Sequence, residues 1–165
     1  MNYKEALEKS LARYFDIQAG GQIGNYDFDF KADFNQRNAQ YILVKSAEVY
    51  AFQNAEKLYF KDLKVSDDFP EVPELIESLH QSIYELVNIN DEHMQTEITL
   101  IFAGDFEPSA IQKKAIEKAK YHKSFRFGLK GWTNLKFFYV DRRNKKVYSN
   151  WYGRKEKKKF ESLFN

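Results

Sequence analysis

Asp27, Asp29 and Asp33 occupy alternate positions of the run Tyr26-Asp27-Phe28-Asp29-Phe30-Lys31-Ala32-Asp33-Phe34. In an extended chain alternate residues share a face about 6.5 to 7 Å apart, a spacing from which a hard cation such as Mg²⁺ recruits one or two carboxylates. Lys31 lies on that same face and offers neutralisation instead, so a solvated charged face is the competing description. A second set of residues is chemically opposite. Residues 120 to 132, KYHKSFRFGLKGW, mix cations with aromatics and contain no acid. Lys120, Lys123, Arg126 and Lys130, preceded by Lys118, can line one edge for phosphates. Arg142 and Arg143, followed by Lys145 and Lys146, can line another, and Trp132, after two glycines, is the accessible aromatic. Such a set suits salt-dependent contact with a polyanion, so the expected partner is nucleic acid or an acidic protein surface. Phe125, Phe127 and Leu129 alternate with Arg126, Gly128 and Lys130, which predicts an extended segment that buries the first three and displays the others.

The net charge of +2 conceals a polarity that sharpens this reading. Residues 112 to 165 carry 17 Lys and Arg against 4 Asp and Glu, whereas residues 1 to 111 carry 9 against 20. Either the late cations form a binding surface, or the two halves neutralise one another across the folded exterior.

The elements that must position these groups follow from periodicity. Tyr3, Leu7, Leu11 and Tyr14 with Phe15 predict a first helix over 2 to 15, ended by Gly20, Gly21 and Gly24. Period two then takes over at 26 to 34. Arg37-Asn38 is a tight-turn signal before Tyr41-Ile42-Leu43-Val44, and Glu48 to Phe52, a turn at Gln53-Asn54, and Lys57 to Lys61 complete a three-strand meander. Ser66-Asp67-Asp68 before Pro70 opens a helix whose stripe runs from Val72 to Val87. Ile98 to Ala103 is nearly continuous and apolar, as a strand buried on both faces should be. Pro108 opens a helix to about His122, and Leu135 to Val140 with Lys146 to Tyr148 form a hairpin turning at Asp141 to Asn144. The order α-β-β-β-α-β-α-β-β predicts a mixed sheet of α/β or α+β class in one globular domain over residues 1–165. Arg154 to Lys159 reads as a basic tail.

Several functions are excluded or unsupported. With no cysteine, disulfides, thiolate metal sites and a cysteine nucleophile are impossible. His80, His93 and His122 lack ligand spacing, and Gly20-Gly21-Gln22-Ile23-Gly24 precedes a strand where a dinucleotide fingerprint needs a helix. No serine-hydrolase, phosphate-loop or zinc-protease motif is present. No metal or cofactor is expected, and the balance lies with binding over catalysis. No run approaches the roughly 20 apolar residues of a membrane helix, so the expected location is the cytoplasm, with no membrane partner. Oligomeric state is left open.

Two resemblances add to this. The succession of a helix, a three-strand meander, a helix and a strand resembles the core of restriction-endonuclease-like nucleases, which set an Asp on one strand and a (D/E)-x-K on the next. That resemblance implies Asp27 or Asp29 as the first acid and Lys45 of "YILVK" as the lysine. The second acid then falls at Leu43, which cannot bind metal, so Glu48 or Glu77 would have to substitute, and an impaired or atypical nuclease-like domain is implied. The chain as a whole, especially "YFDIQ" and "KYHKSFRFGLKGW", resembles a family of small bacterial proteins of unknown function, which implies no particular chemistry.

Overall fold

The first helix, α1 (Tyr3–Leu11), begins at a reciprocal cap: Glu5 N donates to Asn2 Oδ1 at 2.9 Å and Asn2 N donates to Glu5 Oε2 at 3.1 Å. Its buried stripe is Tyr3, Leu7 and Leu11. The helix stops there because Phe15 already belongs to a strand, β1 (Phe15–Ile23), which the sequence reading had divided between a longer helix and a glycine break. The computed structural model describes residues 1–34, 54–87 and 95–164. The expected turn at Arg37-Asn38, the strand Tyr41 to Val44, the segment Glu48 to Gln53, and Lys45 lie outside the described residues, as does His93.

β1 pairs antiparallel with β2 (Tyr26–Phe34) through the two-residue connection Gly24-Asn25. Gly24 has φ +58, and a Cβ there would lie 2.9 Å from Ser78 Cβ, so both backbone and packing demand glycine. β2 departs from a simple alternation. Phe28 joins one hydrophobic core while Phe30 and Ala32 join the other. The change of face falls at Asp29, opposite Gly20, whose φ is +73 and where the Cα pairing is interrupted. The three aspartates therefore do not share one face.

β3 (Asn54–Asp62) runs antiparallel to β2 and parallel to β4 (Gln95–Gly104), which is parallel to β6 (Trp132–Asp141). The sheet is mixed, ordered β1-β2-β3-β4-β6, with a short β5 (His122–Ser124) and β7 (Lys146–Ser149) both antiparallel on the outer side of β6. The expected α/β architecture and N-terminal meander are present, with β1 supplying a strand that composition concealed. Helices α2 (Val72–Leu86) and α3 (Ala110–Lys118) pack Val72, Leu75, Leu79, Ile83 and Ile116 on one face. On the other lie α1 and a short α4 (Lys157–Glu161), whose Phe160 rests on Phe138 with centroids 4.7 Å apart. The basic tail is thus a structured element anchored by a buried phenylalanine, a burial that contributes about 1.5 to 3 kcal/mol.

The outer side of β6 is served by two short strands, and one side chain fills the gap between them. Buried Asn150 accepts from Phe137 N (3.0 Å) and Gly153 N (3.1 Å) and donates to Leu135 O (2.8 Å) and Ala119 O (2.9 Å). The amide imitates a stretch of backbone, continuing the ladder where neither β5 nor β7 reaches.

Candidate nucleic-acid interface

α3 starts at a second reciprocal cap, Ser109 with Gln112, and ends as Ala119 N donates to Ile116 O. Ala119 and Tyr121 are buried, the first tied to Asn150, so the alternate residues Lys118 and Lys120 face outward. Asn150 also fixes the chain on its other side. Trp151 follows it and is 64% exposed, and the Arg154 guanidinium lies 3.6 Å from its ring centroid while donating to Trp151 O. Gly153 is required beneath this turn, because a Cβ would stand 2.7 Å from the Phe138 ring. Glu117, Lys118, Lys120, Trp151 and Tyr152 line one concavity of about 430 Å³. Neither lysine has an ion pair among the described residues.

Next along the same edge is β5, with Lys123 half-buried and paired by backbone with Thr133. His122 Nδ1 meets Asn134 Oδ1 at 2.7 Å, and His80 Nδ1 meets Tyr121 Oη at 3.1 Å, so both histidines serve local structure. Burial pushes the Tyr121 hydroxyl up to about 12, with Tyr84 and Glu77 adding to the shift.

The segment after β5 overturns the extended reading. Residues 125 to 131 form a knot in which Phe125 N donates to Gly131 O, Gly128 N and Lys130 N donate to Phe125 O, and Leu129 N donates to Arg126 O. Arg126 and Phe127 have φ values of 47 and 56, the left-handed region that costs a non-glycine residue about 1 to 2 kcal/mol. Phe125 is buried as expected, but Phe127 is fully exposed at 103% and Leu129 is 84% exposed. Alternation failed because the chain coils instead of extending, reversing which side of the backbone residue 127 takes. Trp132 is half-buried at the start of β6, and Lys130 is half-buried beside it.

Arg142 and Arg143 are elsewhere. They follow the C-terminal end of β6, ten residues beyond Trp132, so at about 3.3 Å per residue roughly 30 Å separates the two sets. Arg142 is committed: its Nε and its terminal nitrogen donate to the two oxygens of Asp105 at 2.9 and 3.0 Å, and the terminal nitrogen lies 2.8 Å from Asp62 Oδ1. Burial works against its charge, but these hydrogen bonds and the two carboxylates outweigh it and hold its pKa above the ordinary value. Arg143 is exposed. The expectation of two adjoining basic edges is replaced by two separate regions.

Asp27 and Asp29 line a cleft of about 360 Å³ near Arg142's partners, together with Lys61, Asp62, Lys64 and Asp68. Asp29 is already engaged, accepting from Asp62 N at 2.6 Å with Lys61 Nζ at 4.0 Å, while Asp33 pairs with Lys57 at 3.2 Å. Among the described residues no group of three or more Asp, Glu and His side chains is gathered as a metal requires. A further charged group sits on the face that carries α1. Lys136 pairs with Glu156 at 3.1 Å, and burial raises the Glu97 pKa against the opposing pull of Lys136.

Reading the residues alone nominates Lys118, Lys120, Lys123 and Arg126, which lie along this edge, and passes over Trp151, Arg154 and the exposure of Phe127. The stretch Trp151-Tyr152-Gly153-Arg154 carries the same signal as KYHKSFRFGLKGW, aromatics beside cations, and would have nominated the first two.

The architecture is that of a mixed-sheet α/β domain with a basic, aromatic outer edge. The chain belongs to the family described as a domain of unknown function, DUF8052, whose model matches residues 1–162. No curated protein and no solved structure matches the chain at a significant level. No helix among the described residues is long and apolar enough to cross a membrane.

Proposed function

We propose that this domain is a cytoplasmic, non-catalytic module that binds nucleic acid along the edge formed by β5 and the segment after β7. Lys118, Lys120, Lys123 and Arg126 take phosphates, and Trp151 under Arg154 presents an apolar face between them. The observation that carries the reading is the concavity in which two unpaired lysines flank an exposed tryptophan capped by a guanidinium. A lysine on a protein exterior is ordinary, but a large exposed indole costs hydration. An arginine stacked on it leaves a planar cationic surface that suits a base or a phosphate.

Phosphate contacts release counterions, so affinity must fall with salt. Four contacts predict a slope of about −3 in log K against log salt, at roughly 0.7 per phosphate for a single strand. Fluorescence anisotropy with labelled RNA and DNA between about 50 and 200 mM salt measures this. The double variant Lys118→Glu/Lys120→Glu is expected to weaken binding and flatten the slope. No binding by the unaltered protein at the lowest salt overturns the reading.

A further inference from the structure

Resting on that reading, we infer that the ligand is a single strand, and that Phe127 is a second base-stacking platform at the far end of the same edge. Phe127 is displayed by a fixed device. Five backbone hydrogen bonds close residues 125 to 131 on themselves, and the buried Phe125 ring anchors the knot from below. Two consecutive non-glycine residues in the left-handed region, Arg126 and Phe127, turn the phenylalanine ring fully into solvent. Strain that persists in a hydrogen-bonded frame, and whose effect is to expose an apolar ring, marks a contact made with something else.

The surroundings select the occupant. Lys120, Lys123 and Arg126 stand in a stretch with no acid from residue 118 to 140, with Glu77 of α2 the carboxylate that acts on Tyr121, so cations outnumber acids beside the ring and favour an anionic occupant. Bases in a duplex have their faces covered by their neighbours, whereas a single strand presents free π-faces to exposed aromatics. The second platform, Trp151, follows Asn150, whose N–H donates to Phe137 O, five residues along β6 from Trp132. At about 3.3 Å per residue the points at which the two platforms attach to β6 lie about 16 Å apart along it, and one nucleic-acid strand is inferred to reach both.

The test compares one labelled oligonucleotide, single-stranded and annealed to its complement, with the full chain and with Phe127→Ala, Phe127→Trp and Lys118→Glu/Lys120→Glu. Phe127 makes no core contact, so these changes leave folding intact. The inference expects the single strand to bind more tightly than the duplex, Phe127→Ala to weaken it by at least about 5-fold, and Phe127→Trp to restore it. Duplex affinity should not respond to residue 127. If Phe127→Ala leaves single-strand affinity unchanged while the lysine variant lowers it, the stacking inference is overturned and the phosphate reading stands. If the unaltered protein binds neither form, both are overturned.

Discussion

At one end of β6 Arg142 and the acids around it are paired, whereas beside the other end Lys118, Lys120 and Arg126 have no ion pair among the described residues. The C-terminal ends of the parallel strands β3, β4 and β6 converge, and each delivers a charged residue. Asp62, Asp105 and Arg142 form one chain of contacts, extended by Lys64 on Asp62 at 3.6 Å, and separately Asn144 is bonded to Asp141. On the outer side of the start of β6 the neighbours are β5 and the loop before β6, drawn from a stretch that contains no carboxylate, while Glu97 of β4 lies on the inner side. The lesson is that cation density along a chain does not define a binding surface. A parallel sheet gathers the ends of distant strands, and acids from the first part neutralise Arg142 there. At the outer edge no such strand arrives, so Lys118, Lys120 and Arg126 stay uncompensated among the described residues.

The comparison breaks most severely if its frame is removed. Asn150→Ala strands two buried donors, Phe137 N and Gly153 N, together with the carbonyls of Leu135 and Ala119. Each unsatisfied group costs about 1 to 3 kcal/mol, so a loss of about 4 kcal/mol or more is expected in urea unfolding. Asn150→Asp, which keeps the acceptor but sets a buried carboxylate against the Leu135 and Ala119 carbonyls, should cost at least as much. A cost under about 1 kcal/mol would mean that the edge is held by other contacts. Next in size is Arg142→Ala, which leaves Asp62 Oδ1 sealed from water, with Lys64 at 3.6 Å from the other oxygen as the cation that stays beside the carboxylate. The expected cost is about 2 kcal/mol, moderated because the pair is partly solvated. Nucleic-acid affinity should not change, and a drop in affinity without a drop in stability would erase the distinction between the ends.

The same contrast explains what was legible in the residues. Helices α1, α2 and α3 and strands β2, β4 and β6 announce themselves because one face or both must be apolar at a fixed period. β1 was hidden: Gly20 and Gly21 read as a break, although β2 pairs with them as backbone and needs no side chain from them. Phe127 was misread because alternation assumes extended φ, and nothing in RFG signals that Arg126 itself adopts the left-handed region. Arg142 was grouped with the other cations because its two acids lie 37 and 80 residues earlier in the chain, a proximity that only parallel-strand register creates. Trp151 was passed over because it sits in a linker between hairpin and tail, where periodicity is silent.

Charge reversal at the unpaired end is the gentler perturbation. Lys118→Glu/Lys120→Glu breaks no ion pair, so stability should shift by less than about 0.5 kcal/mol. The salt slope for a single strand should lose about 1.4, or roughly 0.7 for each phosphate contact. An unchanged slope together with reduced stability would place those lysines in the fold and not in the interface.

The smallest effect tests whether those cations are truly solvated. Tyr121 lies between Lys120 and His122, yet its hydroxyl is pushed up to about 12, first by burial and then by Tyr84 and Glu77, with no lysine pulling it down. At the paired end burial and Asp141 also raise Tyr139, but there Arg142 is among the groups that oppose the shift. Because Tyr121 keeps its proton in the folded state while an unfolded tyrosine loses it near pH 10, folding takes up a proton between about pH 10 and 12. The associated stability is therefore intact below pH 10 and declines as pH rises through that window. Tyr121→Phe should remove up to one proton from the slope of unfolding free energy against pH, leaving the shares of Tyr59, raised to about 12, and of Tyr3 and Tyr139, which burial also raises. Equal slopes in the two proteins would mean that a nearby cation already stabilises the phenolate. The edge lysines would then be turned inward, toward the ring, instead of outward toward a ligand.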